Sequence, residues 1–272
     1  MSPRQFASLP SRCGFPRSVP HRKVAASQNN NMPELVDVIF LDIDGVLLPF
    51  GDATAKTKND DDCFVDGCLF PNRTMKAFTA LLSHLASSCV VTDVVNDDNK
   101  IIQSYAYNPK IVLSSTWRTR SDFIQDILSS FRAYAAAASN CSAAIRGSSW
   151  NARHLLNNGR SFFDITDPKY FATRHEEIYK WVQSNAYNRR SRAQYKNIIF
   201  RSWIALDDED IVHVEDYGGG GGGVTIIEDA KKHAVKTISS IGLTVTDVEL
   251  GIALLEKQIL DYHSHHPTTT KE

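Results

Sequence analysis

The sequence has no long run of apolar residues and no excess of charge of one sign. No stretch approaches the roughly 18 to 20 consecutive apolar residues that a membrane-spanning helix needs, which predicts a soluble protein. Among 272 residues, 30 basic residues stand against 31 acidic ones. No global field therefore favours nucleic acid or an anionic membrane, and partners have to be inferred from local sites.

Cysteine is scarce, and acidic residues are missing from the first 33 positions. The five cysteines are odd in number and irregularly spaced, which favours reduced thiols over a disulfide framework. Cys63 and Cys68 have no second Cys or His pair at zinc-finger spacing. The acid-free start is rich in Arg, Ser and Pro. It is interpreted either as a disordered basic segment of a cytoplasmic protein or as a transit peptide to a chloroplast or mitochondrion.

Segments of strand length alternate with segments of helical period, which is typical of an α/β domain with a mostly parallel sheet. Strands are predicted at 37–42, 110–115, 161–166, 202–206 and 234–238, and helices at 70–86, from Ser121, from Arg174 and after Thr244. Thr244 and Asp247 resemble a capping box with Asp in place of Glu. We therefore predict one domain over residues 34–262, preceded by the basic segment 1–33 and followed by a polar tail, 263–272.

Three low-complexity segments are interpreted as insertions into this frame, the glycine run as a surface loop and the other two as loops or extensions. They are the acidic run 60–62, the segment 135–159 rich in Ala, Ser and Asn, and six consecutive glycines at 218–223.

Polar residues stand at the ends of three predicted strands: Asp42 and Asp44, Ser114 and Ser115, and Asp207 and Asp208. Because ligands bind outside the carboxyl ends of parallel strands, these residues are expected at one edge of the sheet. Carboxylates about 4 Å apart repel by roughly 4 kcal/mol per pair at an effective dielectric near 20, so a cation is expected among them. Oxygen ligands without nearby Cys or His favour a hard ion, Mg²⁺ first, and such an ion can present a phosphate group.

The same segments resemble a known family. "FLDIDGVL" resembles the first motif of the haloacid dehalogenase (HAD) superfamily of phosphatases, "IVLSSTWR" its second and "WIALDDED" its fourth, over residues 35–260. Together with "RHEEIYKWV" and the late "GLT", these motifs are most similar to the HAD domain of Swiss Army Knife RNA-repair proteins. The resemblance implies a three-layer Rossmann-like fold, with a parallel sheet and helices on both faces.

The resemblance also implies roles for the carboxylates. Asp42 would attack phosphorus and form an aspartyl-phosphate, and Asp44 would act as general acid and then as general base. Asp207 and Asp208 would hold Mg²⁺, together with Asp42 and the main-chain carbonyl of Asp44. Gly45 permits the tight backbone that follows.

The remaining motifs suggest residues that contact the phosphate. Ser115 is the expected hydroxyl of the second motif, with Ser114 as the alternative, and Thr116 and Gly45 are expected to bind substrate. Arg118 either binds a second anionic part of the substrate or is a solvated residue at the start of a helix.

The third motif requires a cation near the phosphoryl group. Arg174 is the expected residue because it precedes Ile178 by four and Trp181 by seven, which places it on the inward face of its helix. That helix follows a strand, so its first turn lies at the active-site edge of the sheet. Lys169 and Lys180 are the alternatives.

The family gates its substrates with cap domains. Because only 71 residues separate Asp44 from Ser115, we predict no large cap, but an enlarged flap around residues 51–69 and a lid at 139–160. The expected function is a Mg²⁺-dependent phosphohydrolase acting on phosphomonoesters. The alternatives are a phosphatase module in nucleic-acid end repair, although a strong basic patch is missing, and a non-catalytic HAD-fold binding protein, which would be expected to have lost a site residue.

Overall fold

The computed structural model describes residues 33–51, 64–96, 99–141, 156–157, 161–167, 173–187, 198–209, 211 and 232–266. In chain order, the elements are β1 (Glu34–Leu41), α1 (Asn72–Ser87), β2 (Cys89–Asn96), β3 (Asn99–Ala106), β4 (Pro109–Leu113), a 3₁₀ turn (Thr116–Thr119), α2 (Ser121–Cys141), β5 (Leu156–Asn157), β6 (Ser161–Phe162), β7 (Asp164–Ile165), α3 (Arg174–Val182) followed by a π turn (Gln183–Tyr187), β8 (Ile198–Asp207), β9 (Ala234–Lys236) and α4 (Val245–His265).

Five strands form one sheet in the order β7-β4-β1-β8-β9, and every neighbouring pair in it is parallel. The central strand β1 is a nearly continuous apolar run because helices cover both of its faces. Its Ile39 and Leu41 belong to the core formed with α1, α2 and α4. Val38 and Phe40 belong to a second core, formed with α3. The predicted three-layer fold with helices on both faces is confirmed, and no large cap is present within the described ranges.

The register between β1 and β8 is set by a bulge. Val36 pairs with Phe200 and Asp37 pairs with Ser202, so Arg201 is an extra residue in β8. Its guanidinium bonds to both oxygens of the buried Asp37, at 3.0 and 2.6 Å. Beyond the bulge, the pairing between β1 and β8 continues without a further shift up to Leu41 and Leu206.

Three elements differ from the prediction or decide between its alternatives. An antiparallel pair, β2 and β3, stands outside the main sheet and was not predicted. Helix α2 extends to Cys141, so of the two interpretations of 135–159, a loop or an extension, the extension applies to 135–141, where four alanines favour a helix. The strand predicted at 161–166 is divided: β6 pairs with β5, and only β7 joins the main sheet.

The C-terminal helix begins with the predicted capping box. The Thr244 side chain accepts from the Asp247 amide at 3.3 Å, and the Asp247 carboxylate accepts from the Thr244 amide at 2.8 Å. The helix extends to His265, past the predicted start of the polar tail at residue 263. No helix in the described ranges is long and apolar enough to cross a membrane.

Several predicted segments lie wholly or partly outside the described residues. The acidic run 60–62 and the glycines 218–223 are outside entirely, as is residue 169. Only the ends of the flap 51–69 are described, and the lid segment 139–160 is represented by 139–141 and β5.

Candidate active site

Four polar residues follow the parallel strands at the same level of the sheet. Leu41 is in register with Leu113 and Leu206, and Leu113 is in register with Ile165. The next residue on each strand is polar and buried, and the row consists of Thr166, Ser114, Asp42 and Asp207. Parallel pairing therefore places two hydroxyl groups and two carboxylates side by side at the carboxyl ends of the strands.

Three carboxylates form a cluster at this edge. One oxygen of each of Asp42, Asp207 and Asp208 lies within 4.8 Å of the others. Burial raises the pKa of Asp42, although Arg174 and a hydrogen bond from the Ser115 hydroxyl partly offset this rise. Burial also raises the pKa of Asp207 well above its ordinary value, and the negative charge of Asp42 adds to the effect. Without a cation, burial and mutual repulsion therefore favour the protonated forms of Asp42 and Asp207.

Arg174 is the cation that faces this cluster. Its Nε lies 3.2 Å from Asp207 Oδ2, and its Nη2 lies 3.7 Å from Asp42 Oδ1, but neither contact has hydrogen-bond geometry. Although burial lowers the pKa of Arg174, the carboxylates of Asp42, Asp207 and Glu177 raise it overall. The alternative Lys180 is exposed on the same helix. The geometry therefore favours Arg174 as the cation of the third motif.

Each member of the buried row has a polar atom without a hydrogen-bond partner among the described residues: Asp42 Oδ1, Asp207 Oδ2, Ser114 Oγ and Thr166 Oγ1. The other Asp207 oxygen accepts from the Glu209 amide at 2.9 Å. Buried polar atoms almost always have a partner, so four unpaired atoms in one row indicate a site built for a polar ligand. The oxygen-only donors of the carboxylate cluster fit a hard cation such as Mg²⁺.

Asp44 has a different environment from the other carboxylates. The indole Nε1 of Trp117 donates to both of its oxygens, at 3.0 and 3.1 Å, and Thr116 Oγ1 lies 3.5 Å from Oδ2. Asp44 is partly exposed, and its side chain does not belong to the carboxylate cluster. Asp44 is therefore a carboxyl group that is partly accessible to solvent and is held by two hydrogen bonds from Trp117. Trp117 was not predicted as a site residue, because a tryptophan is usually expected to pack in the hydrophobic core.

Gly45 allows the two acidic loops to approach each other. Its φ is +69°, and a Cβ built on it would lie 2.2 Å from Asp208 Oδ2. Its carbonyl oxygen accepts from the Thr237 hydroxyl at 2.9 Å. A side chain at position 45 would therefore displace Asp208 from the carboxylate cluster.

The two candidate serines differ in their contacts. The Ser115 hydroxyl bonds to Asp42, and its oxygen lies 3.4 Å from the Trp117 amide, which caps the 3₁₀ turn. Ser114 is fully buried in the row, and its hydroxyl has no hydrogen-bond partner in the described part of the chain. Both serines therefore stand at the site, and Ser115 is the one in contact with the nucleophile candidate.

Arg118 is buried rather than solvated. It is 6% exposed, and its Nη1 donates to the carbonyl oxygens of Ser114 and Ser115, at 2.8 and 2.7 Å. Its Nη2 donates to Glu177 Oε1 at 2.6 Å. Of the two sequence alternatives for Arg118, the solvated one is wrong. Glu177, which shares this contact, was not predicted because an acidic residue in the first turn of a helix usually stabilises the helix dipole.

A cavity of about 440 Å³ lies between α3 and α4, against β8. Its described lining is rich in aromatic residues, among them Trp203 and His233, whose rings stack 3.9 Å apart. The described lining includes no member of the carboxylate cluster, so the cavity is separate from the site at the sheet edge.

The comparison with protein families agrees with this geometry. A family model described as the HAD domain in Swiss Army Knife RNA repair proteins matches residues 38–248. The chain belongs to this family. HAD domains are generally phosphohydrolases that use Mg²⁺, and the matched range of this one contains the whole carboxylate cluster and Arg174. No curated protein and no solved structure gives a significant match to this HAD domain.

Proposed function

We propose that this HAD domain is a Mg²⁺-dependent phosphohydrolase that cleaves phosphomonoesters through an aspartyl-phosphate intermediate. The observation that carries the proposal is the buried cluster of Asp42, Asp207 and Asp208, with Arg174 against two of its members. An uncompensated acidic cluster beside a buried arginine suits a site that takes up both a cation and an anion. A phosphate group accompanied by a divalent ion meets both requirements.

The residues that would hold the ion are Asp42, Asp207 and Asp208, with the main-chain carbonyl of Asp44. Asp42 Oδ1 and Asp207 Oδ2, which contact Arg174 but accept no hydrogen bond from a described residue, support this assignment. When bound, Mg²⁺ would offset the charge of the carboxylates and of the phosphate.

In the first half of the reaction, an Asp42 oxygen attacks phosphorus and forms a new O–P bond while the bond to the leaving oxygen breaks. Asp44 would act as the general acid that gives a proton to that leaving oxygen, so the alcohol departs neutral. Arg174 neutralises negative charge on the phosphoryl oxygens, and the Ser115 hydroxyl donates to one of them. The contacts of Arg174 with Asp42 support the first of these roles.

In the second half, water attacks the phosphorus of the aspartyl-phosphate. Asp44, now a carboxylate, takes a proton from this water, the bond between Asp42 and phosphorus breaks, and inorganic phosphate leaves. The bonds from Trp117 hold Asp44 in one orientation for both transfers. Asp44 ends the cycle protonated, and Asp42 ends it as a free carboxylate.

Other polar groups at the edge are proposed to contact the phosphate. They are the hydroxyls of Ser114 and Thr116, the backbone of Gly45 and, added from the structure, the unpaired hydroxyl of Thr166.

The decisive measurement is phosphate release from a panel of phosphomonoesters with Mg²⁺ and with EDTA. We expect metal-dependent release by the wild type, and a loss of at least about 10³-fold in Asp42→Asn, because the variant lacks the nucleophile. The matched control is Asp261→Asn on the exposed side of α4, which should keep wild-type turnover. Equal release by the wild type and Asp42→Asn on every substrate would exclude the proposed enzyme.

A nucleic-acid end is the second candidate substrate, because the matched family is described by its place in RNA repair proteins. The same assay should include oligonucleotides with 5′- and 3′-phosphates. A preference of more than about 10-fold in kcat/KM for such ends over small esters, that is about 1.4 kcal/mol, would support end repair. A non-catalytic binding role is disfavoured, because all six predicted catalytic and metal residues are present: Asp42, Asp44, Ser115, Arg174, Asp207 and Asp208.

A further inference from the structure

Two buried charged residues connect the 3₁₀ turn after β4 to the first turn of α3. Arg118 and Glu177 are 6% and 7% exposed, and their side chains meet at 2.6 Å. Arg118 also donates to two carbonyl oxygens at the end of β4, so its guanidinium is tied to that strand at one end and to α3 at the other. Ion pairs as buried as this one stabilise a fold only weakly, so the pair is better explained by the positions that it fixes.

Glu177 uses its two oxygens for two different arginines. Oε1 accepts from Arg118, and Oε2 accepts from Arg174 Nη1 at 3.1 Å. Among the residues that the structure describes, Glu177 is the one that accepts a hydrogen bond from the Arg174 guanidinium, because the contacts of Arg174 with Asp42 and Asp207 lack hydrogen-bond alignment. Glu177 is therefore the group that fixes the orientation of Arg174.

The charges explain why such a fixing group is needed. Arg174 faces the carboxylates of Asp42 and Asp207, whose attraction alone would draw the guanidinium onto them and block the place of a phosphoryl group. Glu177 attracts it from the opposite end of the guanidinium. Glu177 is in turn held by Arg118, so that its own carboxylate does not rotate. The three residues form a chain in which each member restrains the next.

We propose that Arg118 and Glu177 are positioning residues that hold Arg174 at the distance from Asp42 which catalysis requires. The proposal rests on the proposed phosphohydrolase function and deepens it. It also gives Arg118 a role different from direct contact with an anionic part of the substrate.

A double-mutant cycle on kcat tests this chain of contacts. Glu177→Gln removes the negative charge and places an NH₂ group, a donor, opposite one of the two arginines. We expect kcat to fall by about 10- to 100-fold, the loss typical of a misplaced catalytic group. Arg118→Met should show a similar loss, and Arg118→Lys, which keeps the charge, a smaller one. In an Arg174→Met background, Glu177→Gln should change kcat by less than about threefold, because residues that act as a unit are not additive.

The control is Arg201→Met, which breaks another buried arginine–carboxylate pair, at the opposite end of β1. It should lower thermal stability about as much as Arg118→Met does, while kcat per folded molecule stays within about twofold of the wild type. If losses in Glu177→Gln and Arg174→Met multiply instead, Glu177 does not act through Arg174 and the proposal is overturned.

A crystal structure of Glu177→Gln provides a readout that is independent of turnover. We expect the Arg174 guanidinium to move toward Asp42 and Asp207 by about 1 Å, the displacement that costs such losses in rate. An unmoved guanidinium contradicts positioning even if the enzyme is inactive for another reason. A wild type without phosphatase activity would overturn the proposed function, whereas the position of Arg174 in the variant would still decide the role of Glu177.

Discussion

Among single residues, Gly45 has the strictest steric requirement at the site. The positive φ and the short approach to Asp208 act together, because a methyl group there meets both backbone strain and the carboxylate. Gly67 has a similar φ of +76°, but a Cβ there would lie at an ordinary 3.4 Å from Ala133. The two glycines therefore separate backbone strain from displacement of Asp208.

Gly45→Ala is expected to weaken Mg²⁺ binding by at least about 10-fold, the loss typical when a ligand is displaced from its proper orientation. Gly45→Ala and Gly67→Ala should lower the free energy of unfolding by similar amounts, about 1 kcal/mol each, because both residues have a positive φ. Gly67→Ala should leave the Mg²⁺ affinity unchanged. Titration calorimetry with Mg²⁺ measures the affinity of both variants for the ion. Wild-type affinity in Gly45→Ala would show that Asp208 is not a ligand.

Residues that end buried strands could be predicted from the sequence, whereas residues that act through another side chain could not. Asp42, Asp207 and Ser115 follow apolar runs, and parallel pairing must bring such positions together. Trp117 and Glu177 lie on a short turn and a helix, where sequence periodicity does not indicate a specific partner across the site. Their contacts depend on how α3 and the turn after β4 meet in space.

At the scale of elements, helix α4 begins next to the loop that follows β1, where the Leu243 amide donates to the Val46 carbonyl oxygen at 2.8 Å. Its capping box satisfies amide groups of its first turn, and Thr244 also donates to Asp247 at 2.7 Å. The cap therefore contributes to stability and not to chemistry.

Thr244→Val should lower the free energy of unfolding by about 1 kcal/mol, because the first turn of α4 loses its side-chain acceptor. The matched control is Thr246→Val, at an exposed position of the same turn, which should change it by less than about 0.5 kcal/mol. Urea unfolding gives both values. Phosphate release per folded molecule should be unaffected in either variant, and a selective loss in Thr244→Val would mean that the cap also orients the site.

The periodicity of the sequence predicted the strands and helices of the main sheet but not the β2–β3 pair. In β2 and β3, polar residues such as Thr92, Asp93 and Gln103 interrupt the apolar runs, so neither segment reads as a buried strand. In α2, serines and asparagines beyond residue 138 left both a loop and an extension open, and the helix continues to Cys141 because the alanines before them favour helix propagation.

For the whole molecule, the carboxylate cluster links folding to cation binding. Burial raises the pKa values of Asp42, Asp207 and Asp208, so the folded state holds protons there more tightly than the unfolded state does. Without a cation, the contribution of these groups to stability falls as the pH rises through their raised pKa values. A bound cation favours the ionised forms and removes this loss.

Mg²⁺ should therefore raise the melting temperature more at pH 8 than at pH 5, where protons compete for the ligands. At a Mg²⁺ concentration of 100 Kd, the stabilisation is about 2.7 kcal/mol, or roughly 5–10 °C for a domain of this size. Thermal unfolding with and without Mg²⁺ at both pH values measures the effect, and Asp207→Asn should abolish most of it. A larger shift at pH 5 would contradict the assignment of the carboxylates as ligands.

The bulge at Arg201 has a consequence for insertions and deletions in β8. The extra residue lies just before the pair formed by Asp37 and Ser202. From that pair onward the register is constant, so the number of residues between the bulge and Asp207 determines which carboxylate lies level with Asp42. A one-residue deletion between Ser202 and Leu206 would bring Asp208 into that place and turn alternate side chains to the opposite core. A deletion of Arg201 itself would leave the pairing of β1 with β8 unchanged from Ser202 to Leu206. The chain can therefore vary in length on the far side of the bulge while the spacing of the catalytic edge is preserved.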